Sequence, residues 1–437
     1  MHGEMTAACE AIEIDAMLLQ KPHVQQLITR PPRVCYQKWV MLAILSVLSA
    51  VNQAICYSYA PISSIVEERW GHRLQAESLI TVYFISYIPS AFIGSWIMDR
   101  KGLSFGVILG GFLQAIGAGL RYVACFLDPS EEIYVTMLGQ LLASLAMPFM
   151  VNSPPLLSAN WFPSSMRATA TSTALNANAL GAAIVFLTAP FIVRSSQDIP
   201  MWNLINTLVA FVSCVIAFVY FRSAPTPGDR QFPAVAISKM DAKYKWSQWW
   251  TAFKCAGFWH TIVAFSVAEC VINALTALLG KFLGLTSFSK TQVGIIGAAF
   301  IVSSLVGGQI ISVQVDKKRS HRMVTLVCLL LTAIATILFR VVPKVEVHAT
   351  LVTLMVLGAV LGPIQPIVLE LGVECAYPTS EPTVAALQQL CGNFLSAIAV
   401  PGLSALQRSQ FGDRYFFASP EWIMAIVTMA TFIIFCF

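Results

Sequence analysis

The sequence predicts an all-α polytopic membrane protein, with twelve transmembrane helices arranged as two pseudo-symmetric six-helix bundles. Three observations carry that expectation. Only 11% of the 437 residues are charged and the mean hydropathy is +0.71, whereas a soluble domain carries about 25% charge. The apolar residues gather into runs long enough to cross a bilayer. Short polar motifs recur at one spacing in the two halves of the chain.

A spanning helix needs about 20 mostly apolar residues, because the hydrocarbon core is about 30 Å thick. Such runs lie near 39–62, 78–98, 104–126, 133–154, 168–193 and 200–221. Six more lie near 256–284, 291–315, 322–342, 348–372, 383–406 and 420–437. They define an N-terminal bundle at 39–221 and a C-terminal bundle at 256–437, with a segment 1–38 before them and a linker 222–255 between them. Residues 1–38 lack the apolar core of a signal peptide.

With the N-terminus inside, the inner segments hold 17 of the 27 Lys and Arg residues. That excess predicts both termini in the cytosol, and the plasma membrane is the leading expectation, with an endolysosomal or other organelle membrane as the alternative. The linker carries Pro225, Pro227, Gly228 and Pro233, which favour an irregular course. Its end, with Lys245, Trp246, Trp249, Trp250 and Lys254, reads as an interfacial helix. The net charge of +5 comes with no basic stripe, and no nucleic-acid partner is expected. Cys56, Cys214, Cys270, Cys328, Cys391 and Cys436 lie in apolar runs without metal-ligand spacing and read as packing groups. No phosphate-binding loop occurs, so ATP-driven pumping and enzymatic chemistry have no support. No cofactor is called for.

The repeat is specific. Asp99-Arg100-Lys101 closes the second run and Asp316-Lys317-Lys318 the eighth, an offset of 217. Trp161-Phe162-Pro163 follows the fourth run and Ala376-Tyr377-Pro378 the tenth, an offset of 215, and Asn178 and Asn393 differ by 215 as well. Parallel repeats of this kind let one bundle rock against the other around a central site. An Asp followed by bases at an inner helix end suits a gate that pairs in one state and releases in the other. Asp99, Arg100, Arg167, Asp316 and Lys317 are therefore gating candidates. Glu370, Glu374 and Glu381 join them as acidic partners for loop bases such as Lys317 or Arg319.

Ionisable residues inside a membrane are costly and point to function. Glu269 falls midway along the seventh run, with Asn273 and Thr276 at i+4 and i+7 on the same helix face. It reads as a substrate contact for a cationic or amine solute, or as a proton-coupling carboxyl. Asn52, Cys56 and Tyr59, with Gln53 beside them, make a similar stripe on the first run. Asn178 on the fifth run, and Gln389 and Asn393 on the eleventh, complete the candidate lining. Gln365 lies between Pro363 and Pro366, where the tenth run is expected to loosen; Pro148, Pro154 and Pro155 do the same to the fourth.

These motifs resemble the feline leukaemia virus subgroup C receptor-related transporters, solute carrier family 49, within the major facilitator class. The resemblance runs through nearly all spans. It is strongest from Arg33 to Ile65, in Tyr83-Phe84-Ile85-Ser86-Tyr87-Ile88-Pro89, in Trp161-Phe162-Pro163 with Arg167-Ala168-Thr169, and at Asn178 with Leu180-Gly181. Its most specific part is Leu369 to Glu381, with Glu370, Glu374 and Tyr377-Pro378. It implies a major facilitator fold and movement of a small polar organic solute by alternating access. Choline- or ethanolamine-like amines lead, with a vitamin such as pyridoxine or haem as further substrates. It also places Tyr83 among the site residues. The alternatives are a haem or porphyrin exporter, or a receptor or scaffold without flux. The choline-type members cage the cation with aromatics on spans one and seven; here those positions hold Cys56 and Asn273. Two Gln positions are Ala179 and Asn393, while Asn52 and Asn178 are retained. The expected partners are the small-molecule substrate and the lipid bilayer, and the chain is read as a monomer.

Overall fold

The structure is a computed structural model that describes residues 36–163, 166–225, 250–255, 257–284, 288–318, 320–342, 346–376, 379, 381–408 and 419–436. Among these residues no strand occurs. Span one is the helix Tyr36–Tyr57, continued by a 3-10 turn Ala60–Ile62 and a short helix Ser63–Arg69. Spans two and three are Ala76–Lys101 and Leu103–Ala124. Span four is cut into Pro129–Leu145, Met147–Val151 and Ser153–Trp161, and spans five and six are Arg167–Ile192 and Ile199–Tyr220. Spans seven to nine are Phe258–Gly284, Lys290–Lys318 and His321–Val341. Span ten is Val347–Leu361 followed by Ile364–Cys375, span eleven Glu381–Arg408 and span twelve Pro420–Cys436. Eleven of these are long and apolar enough to cross a membrane. The twelfth has 17 residues, or roughly 25 Å at 1.5 Å per residue.

The breaks follow from proline. Pro61 lacks an amide proton and crowds the carbonyl four residues earlier, so the helix of span one ends at Tyr57. Spans four and ten break beside Pro148, Pro154 and Pro363, where the sequence places its helix-loosening prolines.

Burial orders the spans. In span seven 83% of the apolar window is buried, against 33% in span six. Span seven therefore runs through the centre and span six faces lipid, with Phe211, Phe218 and Tyr220 exposed. One apolar core joins Ile55, Tyr57, Tyr83 and Tyr87 of the early spans to Phe265, Val271, Leu275 and Phe282 of span seven. The chain leaving span six is tied down by Trp161 Nε1 donating to the Arg222 carbonyl and Asn160 to that of Ser223. Most of the linker lies outside the described residues; of the expected interfacial helix, 250–254 is helical and Trp250 is exposed. Spans one and twelve begin and end at the same side, termed the near end. The opposite side is the far end.

Candidate functional site

Span seven carries Glu269 midway along its length, and the carboxylate collects side-chain amides. Oε1 accepts hydrogen bonds from Gln389 Nε2 at 2.9 Å and from Asn273 Nδ2 at 3.4 Å. Oε2 accepts from Gln365 Nε2. Three helices thus converge on one carboxylate: span seven, the second piece of span ten and span eleven. Gly392 of span eleven makes the space, since a Cβ there would lie 2.8 Å from Glu269 Cγ. Glu269, Gln365 and Gln389 all keep part of their surface accessible. Among the described residues no Lys, Arg or His pairs with Glu269. Amide donors compensate part of the desolvation cost of a buried charge.

The cluster reaches the early spans through Asn273. Its Oδ1 accepts from Tyr57 Oη at 3.0 Å, and its Nδ2 also donates to Ser396 Oγ at 3.0 Å. Tyr57 and Tyr87 lie within electrostatic reach of Glu269.

The remaining substrate-contact candidates fall into two groups. Cys56 is buried and Gln53 partly accessible on span one. Asn393, one turn from Gln389, donates to the Gln389 carbonyl at 2.9 Å and keeps a buried side-chain oxygen with no partner among the described residues. The others are engaged in helix packing. Asn52 is fully buried and donates to the Ala143 carbonyl at 3.0 Å, and Tyr83 Oη sits 3.5 Å from the Asn52 carbonyl. Asn178 donates to the carbonyl and hydroxyl of Ser49 at 3.1 and 3.2 Å. Tyr59 does not continue the face of Asn52 and Cys56, because the helix stops at Tyr57. Its hydroxyl donates to Asn203 Oδ1 at 2.8 Å, and the Arg121 guanidinium lies 4.3 Å from its ring centre.

The gating candidates stand at the near end. Asp99 and Arg100 end span two, and the Arg100 guanidinium sits over the Trp96 ring at 4.7 Å. Arg167 opens span five and donates to the Phe162 carbonyl at 3.3 Å. Glu370 Oε2 lies 3.2 Å from His321 Nε2, so span nine supplies one partner that the sequence reading did not name. Glu374 is exposed. Asp316 and Lys317 end span eight and Glu381 begins span eleven; their side chains lie outside the described residues, as does Arg319.

Sequence reasoning missed two features. The first is a far-end ion cluster that crosses between early and late spans. Lys281, in the last turn of span seven, contacts Glu77 Oε2 at 2.7 Å, Glu67 Oε1 at 3.1 Å and Gln75 Oε1 at 3.0 Å. Glu77 is 97% buried at the start of span two, and Ser404 of span eleven donates to it. The second is Arg121 of span three, which is fully buried. It donates to the Ile55 carbonyl and Gln140 Oε1 at 3.0 Å each, and to Ser58 Oγ at 2.6 Å. It thereby caps the free carbonyl end of the span-one helix.

A bundle of twelve helices, broken at spans one, four and ten around a carboxylate at mid-depth, defines a membrane transporter. Residues 42–401 match the Major Facilitator Superfamily, and the chain belongs to it. Among its relatives is solute carrier family 49 member A3 of Xenopus tropicalis, 27% identical over 376 residues that cover 84% of this chain and 77% of the relative. Another is the choline/ethanolamine transporter FLVCR1 of Felis catus, 29% identical over 365 residues that cover 80% and 64% of the two chains. The expected resemblance is therefore found. A D-xylose–proton symporter of known structure aligns at a TM-score of 0.71 and 12% identity, covering 91% of this chain and 97% of its own. The E. coli fucose:proton symporter aligns at 0.62.

Proposed function

We propose that this transporter moves a small organic amine by alternating access, with Glu269 as its counter-charge. One observation carries the reading: Glu269, a partly accessible residue at mid-membrane, has its carboxylate held by three neutral amides and by no cation among the described residues. A carboxylate kept in that setting without a paired base is a functional group by default. The amine supplies the missing positive charge. A proton is the alternative occupant of the carboxylate, and exchange between the two couples flux to pH.

The neighbours narrow the class. The aromatic positions of choline-type members are Cys56 and Asn273 here, so two aromatics of the cation–π cage for a quaternary ammonium are absent at those positions. Amide oxygens at the partly accessible Gln365 and Gln389 instead offer acceptors for N–H donors. An amine that bears N–H groups therefore suits the site better than choline, as ethanolamine does, a compound that the name of the Felis catus relative includes. The ties between early and late spans run from Tyr57–Asn273 outward to Lys281, which supports a far end that is closed and a site that opens toward the near end. With both termini in the cytosol this is the inward-facing state, and the far-end ion cluster is the outer gate.

Uptake of labelled ethanolamine, choline and pyridoxine into cells expressing the protein tests this, at two external pH values and beside Glu269→Gln at equal surface level. The expected result is saturable ethanolamine uptake above choline, collapsing in the variant together with its pH dependence. Uptake untouched by Glu269→Gln would remove the carboxylate from the site.

A further inference from the structure

Spans five and eight meet at the far end, one finishing where the other begins. Gly294 allows the approach, because a Cβ there would lie 2.3 Å from the Phe186 carbonyl oxygen and 2.8 Å from the Pro190 ring. Beyond this contact the two chains part. A cleft of about 360 Å³ opens between them, lined by Pro190, Phe191, Val193 and Arg194 on one wall and by Lys290 and Thr291 on the other. Two exposed bases, from opposite halves of the chain, therefore face one cleft.

Neither base is otherwise engaged. Among the described residues, the Arg194 guanidinium and the Lys290 ammonium make no hydrogen bond and no ion pair. Asp198 is within electrostatic reach of Arg194. Its Oδ2 accepts from the backbone amides of Arg194 and Ser195 and from the Ser195 hydroxyl, at 3.0, 2.9 and 3.0 Å, and its charge offsets part of that of Arg194, while Lys290 has no such neighbour among the described residues. Two like charges on the walls of one cleft make it attractive to an anion. The N-terminus of span eight adds the positive end of its helix dipole.

The depth of the cleft and the surface beside it identify the anion. The cleft lies where the apolar stretches Thr169–Ile192 and Lys290–Ile311 end and begin, which is headgroup level in a bilayer. Toward the membrane centre, span five exposes Ile184, Leu187 and Phe191 at i, i+3 and i+7, on one helix face. Span eight exposes Ile295 and Val302 at i and i+7. Phe191 belongs both to this apolar track and to the cleft.

We propose that the cleft holds the phosphate of a phospholipid from the far leaflet, an anionic headgroup binding more tightly than a zwitterionic one, with its acyl chains along the two apolar tracks. Lys and Arg side chains pair with a phosphate through charge-assisted hydrogen bonds. The phosphate bridges Arg194 of the first six spans to Lys290 of the last six. It therefore binds the far-closed state best and acts as a lipid clasp beside the Lys281 cluster. The proposal does not depend on which solute is carried.

Native mass spectrometry of the purified full chain tests it, with palmitoyl-oleoyl phosphatidylglycerol and phosphatidylcholine supplied at equal concentration. The intact protein is expected to retain one phosphatidylglycerol that the Arg194→Gln/Lys290→Gln protein loses, with at least a tenfold drop in retention. The lipid is also expected to raise the thermal midpoint of the intact protein and not of the variant. Both positions are exposed, and an unchanged midpoint without lipid shows that the variant folds. Equal retention by the two proteins would overturn the proposal. So would displacement of the lipid by equimolar glycerol phosphate, since the cleft would then be a site for a soluble anion.

Discussion

Glu269 and Arg121 are both ionisable, both deep in the bundle and both free of an opposite charge among the described residues, yet they are built for different tasks. The partners of Arg121 all belong to the first six spans: a helix-end carbonyl, a hydroxyl, an amide oxygen and the Tyr59 ring. It is fully buried. Its Nη1 and Nη2 donors go to groups that do not move relative to it when one half rocks against the other. Glu269 keeps accessible surface, sits where three helices of the second half meet, and reaches the first half through Asn273 and Tyr57. A buried charge with fixed partners within one half is architecture. A buried charge with accessible surface and ties across the halves is what the proposed site requires of Glu269.

The largest effect expected from this contrast is at Glu269. Glu269→Gln keeps the volume and removes the charge, and amine uptake should fall by at least about tenfold with the protein still at the surface, as for a residue whose charge binds the substrate. Next comes the far-end cluster. Lys281→Met leaves two acids facing each other, one of them 97% buried. Breaking a buried pair by removing one partner costs about 3–5 kcal/mol. The loss should fall on the far-closed state, so a cysteine placed at Ser404 should react faster with an impermeant thiol reagent, and Lys281→Met/Glu77→Gln should restore part of the protection. If Ser404→Cys labels equally in all three, the cluster does not hold the far end shut. A smaller effect is expected for Gly392→Ala. Its Cβ would displace the Glu269 side chain by a fraction of an ångström, which raises KM by about threefold to tenfold for a misplaced binding group while leaving the fold intact.

What could be read from the chain, and what could not, divides along the same physics. Apolar run length and the scarcity of charge speak directly to the bilayer, so the helical membrane fold was legible at the level of single spans. The stripe of Glu269 and Asn273 was legible because span seven is an unbroken helix, where i and i+4 share a face. The same spacing failed at Tyr59, because Pro61 ends the helix of span one and turns that side chain toward Asn203. Lys281 and Glu77 each look like ordinary charges at a helix end, and nothing local links residues 204 apart in sequence. Arg121 was passed over for a related reason. A base three residues from the end of a span reads as one that reaches for water, and only the packing of span one against it shows that its whole surface is enclosed.

Arg121 therefore gives the smallest expected effect on transport and the sharpest control on the comparison. Arg121→Gln retains a donor but cannot reach the Ile55 carbonyl, Ser58 and Gln140 together, and a buried acceptor left without its donor costs about 1–3 kcal/mol. The thermal midpoint should fall by several degrees and less protein should reach the surface. The KM for the amine, and the flux per folded molecule, should stay within about twofold of the parent, because the lost contacts lie in one half and are made equally in ground and transition states of transport. A fall in affinity comparable to that of Glu269→Gln, in protein shown to be folded, would place Arg121 in the site and break the distinction between a charge that builds the bundle and one that works in it.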